Sequence, residues 1–216
     1  MRRLFIGTLG FDEKFIIRSL IRSGLSVGDS ILIFAPKGYL QDDKSIKAAE
    51  TIKEIVFKIL PDTELEIEEF NLQGDFAEEI RKIRGILQGH EFDEIIACLS
   101  GGMRALILGI VFTLLTLDGY RVIVEVEFET LEHYIRIPLN ILKVPYNARW
   151  LTILEQLSQG KTIRVVSKDT GLSPATISRT ISDMRAYKLV DENNRVTDEG
   201  HFYMKIYKNM FQKIET

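Results

Sequence analysis

Residues 98–106, CLSGGMRAL, place a hydroxyl (Ser100), two glycines (Gly101 and Gly102) and a cation (Arg104) between the two most hydrophobic segments of the chain. A plain turn needs one glycine. Two glycines opening a helix let backbone N–H groups come close to an anion, where the helix dipole favours negative charge. Ser100 can add a hydroxyl hydrogen bond, and Arg104, expected one turn into the helix, a charge-assisted one. The chemistry that these types suggest is capture of an anion. Other chemistries lack their residues. No G-x-G-x-x-G follows the first apolar run and no phosphate-loop lysine occurs. His90, His133 and His201 are scattered, suggesting neither metal site nor triad. Cys98 is the only cysteine, so no internal disulfide or zinc cluster is expected, and its apolar surroundings predict a buried, inert thiol. No cofactor is expected.

The elements that must position this loop follow from the hydrophobic pattern. Strands are predicted at 3–8, 30–35, 64–70, 94–99 and 120–128, with helices between them at about 12–24, 42–60, 75–88 and 102–117. This alternation predicts a Rossmann-like, mostly parallel sheet with helices on both faces. Residues 133–139 follow the fifth strand too closely for a helix, so an antiparallel terminal hairpin of half-buried edge strands is expected. On the fifth strand Val122, Val124 and Val126 share one side, with Arg121, Glu125 and Glu127 mixed with apolar residues on the other. Ligands bind such sheets off the carboxyl ends of the strands, where strand order reverses. The loop GTLGFD (7–12) and the loop SGGMR (100–104) would then face one crevice. Pro36, Lys37, Gly38, Tyr39, Asn71, Gln73 and Gly74 are rim candidates of second rank.

Charge divides the chain. Residues 1–143 hold 17 Lys+Arg against 23 Asp+Glu, a net of −6, and residues 144–216 hold 11 against 8, a net of +3. The basic part is the one expected to meet a polyanion. After a proline-bearing linker at 140–147, residues 148–216 read as a winged helix-turn-helix. Helices are predicted at 148–158 and 162–168, then a third with Ser173 as N-cap and proline at its first position. Ile177, Ile181 and Met184 face inward. Ser173, Ala175, Thr176, Ser178, Arg179 and Ser182 remain for a major groove, where small residues admit the helix and arginine can reach guanine. Residues 189–197 read as the wing, with an Asn193-Asn194 turn and Arg195 at its tip. The final helix carries Phe202, Tyr203, Ile206, Tyr207, Met210 and Ile214, more apolar surface than a small winged helix covers, which predicts a dimerisation helix.

The order of parts resembles the CRISPR-associated transcription regulators of the Csa-three type, in which a CARF domain precedes a MarR-like winged helix. SGGMR looks like the CARF motif of serine or threonine, two glycines, any residue, then lysine or arginine, and GTLGFDEKF (7–15) looks like the family's other motif. The single cysteine and the lack of a signal-peptide core or of an apolar run long enough to span a bilayer predict a cytoplasmic protein, and the resemblance implies a ligand-sensing domain over 1–139 and a homodimer whose joined crevices bind a cyclic oligoadenylate, with cyclic tetra-adenylate the expected ring. Double-stranded DNA near CRISPR arrays or their associated genes is the other implied partner, and no membrane is. By position, Leu9, Gly10, Phe11 and Asp12 would line one edge, and Ser100, Gly101, Gly102, Met103 and Arg104 the other. The alternative is a ring nuclease that cuts the same ligand without metal, but no general base stands out near either loop. A non-enzymatic regulator is therefore expected.

Overall fold

The computed structural model describes residues 2–89 and 91–207. The chain divides into two units, Met1–Leu139 and Asn140–Thr216. In the first, β1 (Arg3–Thr8), β2 (Ser30–Pro36), β3 (Glu64–Phe70), β4 (Glu94–Cys98), β5 (Arg121–Glu127) and β6 (Tyr134–Pro138) form one sheet of order β3-β2-β1-β4-β5-β6. Every pair is parallel except β5–β6. The helices are α1 (Lys14–Ser23), α2 (Asp43–Ile59), α3 (Phe76–Gln88) and α4 (Arg104–Leu115).

The central strands are apolar throughout because both faces are covered. Leu4, Ile6, Leu32, Phe34, Ile95 and Ala97 pack with residues of α3 and α4. The alternate residues Phe5, Ile31, Ile33, Ile96 and Cys98 pack with residues of α1 and α2. The chain builds outward from β1 to β3, then returns to place β4 beside β1, so the two glycine loops leave adjacent strand ends.

The far end of the sheet departs from expectation. Glu125 and Glu127, expected on a half-exposed face of β5, are buried, with side chains only 2% and 1% exposed. α1 lies against this end and supplies their partners. The Glu125 carboxylate accepts from Ser19 Oγ at 2.7 Å and Arg22 Nη2 at 3.0 Å, and pairs with Arg136 of β6 at 3.1 Å. Glu127 pairs with Arg18 at 2.6 Å, leaving its Oε2 without a hydrogen bond among the described residues. A carboxylate survives burial when it is paired, so alternation alone misread these two positions.

The second unit contains α5 (Ala148–Ser158), α6 (Ile163–Thr170), α7 (Pro174–Ala186) and α8 (Asp198–Tyr207). Its core joins Trp150, Ile153, Leu154, Val166, Ile177, Ile181, Met184 and Tyr203. Residues 140–147, expected as a linker, pack into this unit. Ile141 and Val144 enter its core, and the Tyr203 hydroxyl donates to the Pro145 carbonyl while accepting from the Asn147 N–H. The wing is slighter than a strand pair: one antiparallel bridge joins Val190 and Val196. Phe202, Tyr203 and Tyr207 pack against their own core and Ile206 is exposed. Met210 and Ile214 lie outside the described residues.

Candidate functional site

The two glycine loops meet backbone to backbone. A Cβ on Gly10 would sit 2.5 Å from the Gly102 nitrogen, and one on Gly102, whose φ is +95°, would sit 2.9 Å from the Leu9 carbonyl oxygen. The Thr8 hydroxyl donates to the Gly101 carbonyl and closes the junction. Gly10 and Gly102 are thus required first by the approach of one loop to the other. That approach brings the starts of α1 and α4 to one place.

A cleft of about 440 Å³ opens beside the junction, lined by Leu9, Gly10, Phe11, Gly102 and Met103 from the loops and by residues 36–39, Asp42 and Ser45 from the end of β2 onward. It adjoins a second concavity of about 960 Å³ that shares Pro36, Lys37, Gly38 and Met103 and reaches Glu69, Asn71 and Gln73. The second-rank rim candidates Pro36, Lys37, Gly38 and Tyr39, with Asn71 and Gln73, are therefore wall residues. Asp42 and Ser45 escaped sequence reading, although their place after β2, the neighbour of β1, is where the switch-point rule directs attention. Phe11 and Met103 are 68% and 54% exposed at the mouth.

The predicted residues divide by what already occupies them. Ser100 Oγ accepts the Glu127 backbone N–H at 2.8 Å, tying the loop to β5, an acceptance that leaves the hydroxyl proton to be donated. The Asp12 carboxylate accepts the Lys14 N–H at 3.0 Å and belongs to the start of α1. Arg104 is the first residue of α4 rather than one turn in; it is exposed and forms no ion pair with the described residues. Lys37 is likewise exposed and without an ion pair among them.

Helix starts differ in the same way. Asp42 caps α2 by accepting from Ser45, Asp75 caps α3 by accepting from Ala77 and Glu78, and Asp12 serves α1. α4 begins at Met103 with no side-chain cap. Its first-turn N–H groups, with the adjacent Arg104, have no acidic side chain among the described residues to satisfy them. The hydrogen bond from Ser45 holds the Asp42 carboxyl below its ordinary range, while burial, then the nearby Glu69 charge, pushes the Tyr39 phenol up. At neutral pH the wall therefore offers the Asp42 carboxylate as an acceptor and the Tyr39 hydroxyl in its protonated form. Burial raises the Cys98 thiol, which lies 3.5 Å from the Phe15 carbonyl. No group of three or more histidine, cysteine or acidic side chains with metal-binding geometry occurs among the described residues.

In the second unit Ala175, Ser178, Arg179 and Ser182 share the exposed side of α7, opposite buried Ile177, Ile181 and Met184. Ser173 and Thr176 are engaged with each other: Ser173 Oγ accepts the Thr176 N–H, and the two hydroxyls lie 2.9 Å apart. Arg195 follows the wing turn instead of occupying its tip. The Asp191 side chain accepts the N–H groups of Asn193 and Arg195, and Asn194 takes the left-handed conformation with φ 62°. No helix among the described residues is long and apolar enough to cross a membrane.

Residues 3–138 match the family described as the Csa3 CRISPR-associated Rossmann-like domain, and residues 151–215 match one described as wHTH-PRTase associated. No curated protein matches the chain.

Proposed function

This chain belongs to the Csa3 CRISPR-associated Rossmann-like family, and from that membership we propose that it is a ligand-responsive, DNA-binding regulator of CRISPR arrays or their associated genes. The ligand is a cyclic oligoadenylate, and the ring expected is the tetra-adenylate. The observation that carries this reading is the open start of α4: of the four described helices on the sheet, it alone begins without an acidic cap, and Arg104 stands beside it with no ion pair among the described residues. Phosphate is the chemistry that such a terminus takes. Phe11, Tyr39 and Met103 supply apolar, partly aromatic walls for a base, and Asp42 accepts from an amino group or hydroxyl.

A second copy of the chain completes the site in this reading. α4 is apolar on all sides, with Leu108 and Phe112 exposed as well as its buried face. A helix of that kind is covered on both sides, and a two-fold partner would cover it while joining two crevices around one ring. The winged helix reads DNA through α7, with Arg179 at the groove. The protein acts as a binder and not as an enzyme.

Calorimetric titration with cyclic oligoadenylates of different ring sizes tests the reading, followed by chromatography of the recovered ligand. Saturable binding of one ring, recovered intact, is the expected result. Recovery of linear fragments would convert the assignment to a ring nuclease. Failure of every ring to bind would remove the ligand class.

A further inference from the structure

The peptide between Gly101 and Gly102 is the only one in the chain that joins two glycines. No Cβ restrains rotation on either side of it, so its plane is the freest of the loop to turn over. A planar trans peptide carries its C=O and its N–H on opposite edges, and turning it over exchanges the two. Just ahead of a helix start, that exchange decides whether an anion meets a donor or an acceptor. A loop built to take an anion therefore needs something to hold this plane.

The fold holds it through a side chain of the other loop motif. Thr8, the last residue of β1, is fully buried, and its hydroxyl donates to the Gly101 carbonyl. Thr8 is itself set in the sheet, in register with Phe34 of β2. The carbonyl is thus drawn toward β1, which leaves the Gly102 N–H on the far edge of the same plane. Gly102 lines the cleft of about 440 Å³. The N–H groups of Gly102, Met103 and Arg104 donate to no acceptor among the described residues. On its other flank the loop is tied by Ser100 to the Glu127 N–H, so strands on both sides of β4 grip it. Loss of the Thr8 hydroxyl would leave the Gly101 carbonyl without its donor, and a peptide between two glycines can turn to find another.

We propose that Thr8 is a positioning residue for the anion site: its hydroxyl holds the Gly101–Gly102 peptide so that the Gly102 N–H faces the cleft and donates to a phosphate oxygen. Thr8 itself touches no ligand in this arrangement. One loop motif sets the donor of the other. The proposal rests on the ligand reading above and adds to it Thr8 and the orientation of a single peptide.

The test follows that peptide directly. Glycine labelled with stable isotopes at its carbonyl carbon and its nitrogen, supplied with unlabelled serine, leaves one carbonyl-to-amide correlation in the NMR spectrum of the full chain, that of Gly101–Gly102. Cyclic tetra-adenylate should move its amide proton downfield in the unaltered protein, as the Gly102 N–H takes a charged acceptor. Thr8→Val nearly preserves shape and removes the hydroxyl. Its affinity should fall about tenfold or more, the worth of a hydrogen bond to a charged group, and its Gly102 signal should be displaced before ligand is added and unresponsive afterwards. Thr8→Ser keeps the hydroxyl and should restore both affinity and response. A ring that binds the unaltered protein without moving the Gly102 signal would overturn the proposal and leave the ligand reading standing; this arm needs no variant, so it decides even where Thr8→Val does not fold. Wild-type affinity in folded Thr8→Val would overturn it too. If Thr8→Ser binds as weakly as Thr8→Val, the lost methyl and not the hydroxyl is responsible, and the proposal falls. If no ring binds the unaltered protein, the ligand reading and the proposal fall together.

Discussion

Glu125→Gln removes the centre of the buried charge cluster while nearly preserving shape. The wild-type carboxylate takes Ser19 Oγ, Arg22 Nη2 and Arg136 Nε at 2.7, 3.0 and 3.1 Å, and Glu127 serves Arg18 alongside it. Three guanidiniums thus face two carboxylates, and the substitution leaves them facing one. The glutamine oxygen can still accept one of these bonds, but its NH₂ is then turned toward a donor. Breaking a buried pair from one side costs about 3–5 kcal/mol. Arg136 is 49% exposed and regains water when released, so the lower end, about 3 kcal/mol, is expected. For a unit of this size, about 3 kcal/mol lowers the midpoint by roughly 10 °C. Calorimetry of the full chain should show the transition of the first unit shifted by that amount and that of the second unchanged. Ligand affinity should fall too, because Ser100 is tied to the Glu127 N–H and α1 follows directly from the first loop. A midpoint within about 2 °C of wild type, well under the shift that a broken buried pair produces, would refute the claim that this cluster holds the end of the sheet.

Arg104→Ala should weaken cyclic tetra-adenylate binding by about 1.5–3 kcal/mol. Its unfolding midpoint should not change, since the side chain is exposed; equal calorimetric affinity would dispose of the site. Gly102→Ala forces a side chain into positive φ, 2.9 Å from the Leu9 carbonyl, and should cost about 1–3 kcal/mol in urea unfolding. An unchanged urea midpoint would mean that the two loops do not bear on each other. Burial raises the Cys98 thiol, so in mildly alkaline buffer the folded protein should hold little thiolate and react slowly with iodoacetamide, then quickly once unfolded in urea. Fast alkylation of the native protein would contradict that burial. A Gly/Ser segment inserted between Leu139 and Asn140 should keep ligand and DNA binding but abolish their mutual effect, expected at about 1–3 kcal/mol and equal in both directions. Coupling that persists through the insertion would exclude transmission by this junction.

Where one physical cause dominates, the residues were readable in order. The alternation of apolar runs marked all six strands of the sheet because each is set by burial on one or both faces. Ser173 and Pro174 marked the start of α7 because a cap and a fixed φ are local properties. The misreadings share a different cause. Ser100 looked unengaged because the strand whose N–H it accepts, β5, reaches it from 27 residues further on. Glu125 and Glu127 looked half-exposed because their cations, Arg18 and Arg22, come from a helix more than 100 residues earlier. Residues 140–147 looked like a tether because Pro138 and Pro145 mark a segment with little periodicity, while Ile141 and Val144 are buried only by partners that the fold supplies.

The sequence by itself determined the strand and helix order, the glycines of the two loops and the small-residue face of α7, because periodicity, capping and turn chemistry act within a few residues. Only the tertiary structure decided which donors remain open. It engaged Asp12 and Asp75 at helix starts, while among the described residues it left the start of α4 uncapped and Arg104 and Arg195 without ion pairs. A polar group is available to a ligand only if no other part of the chain has satisfied it, and that depends on partners brought close by folding.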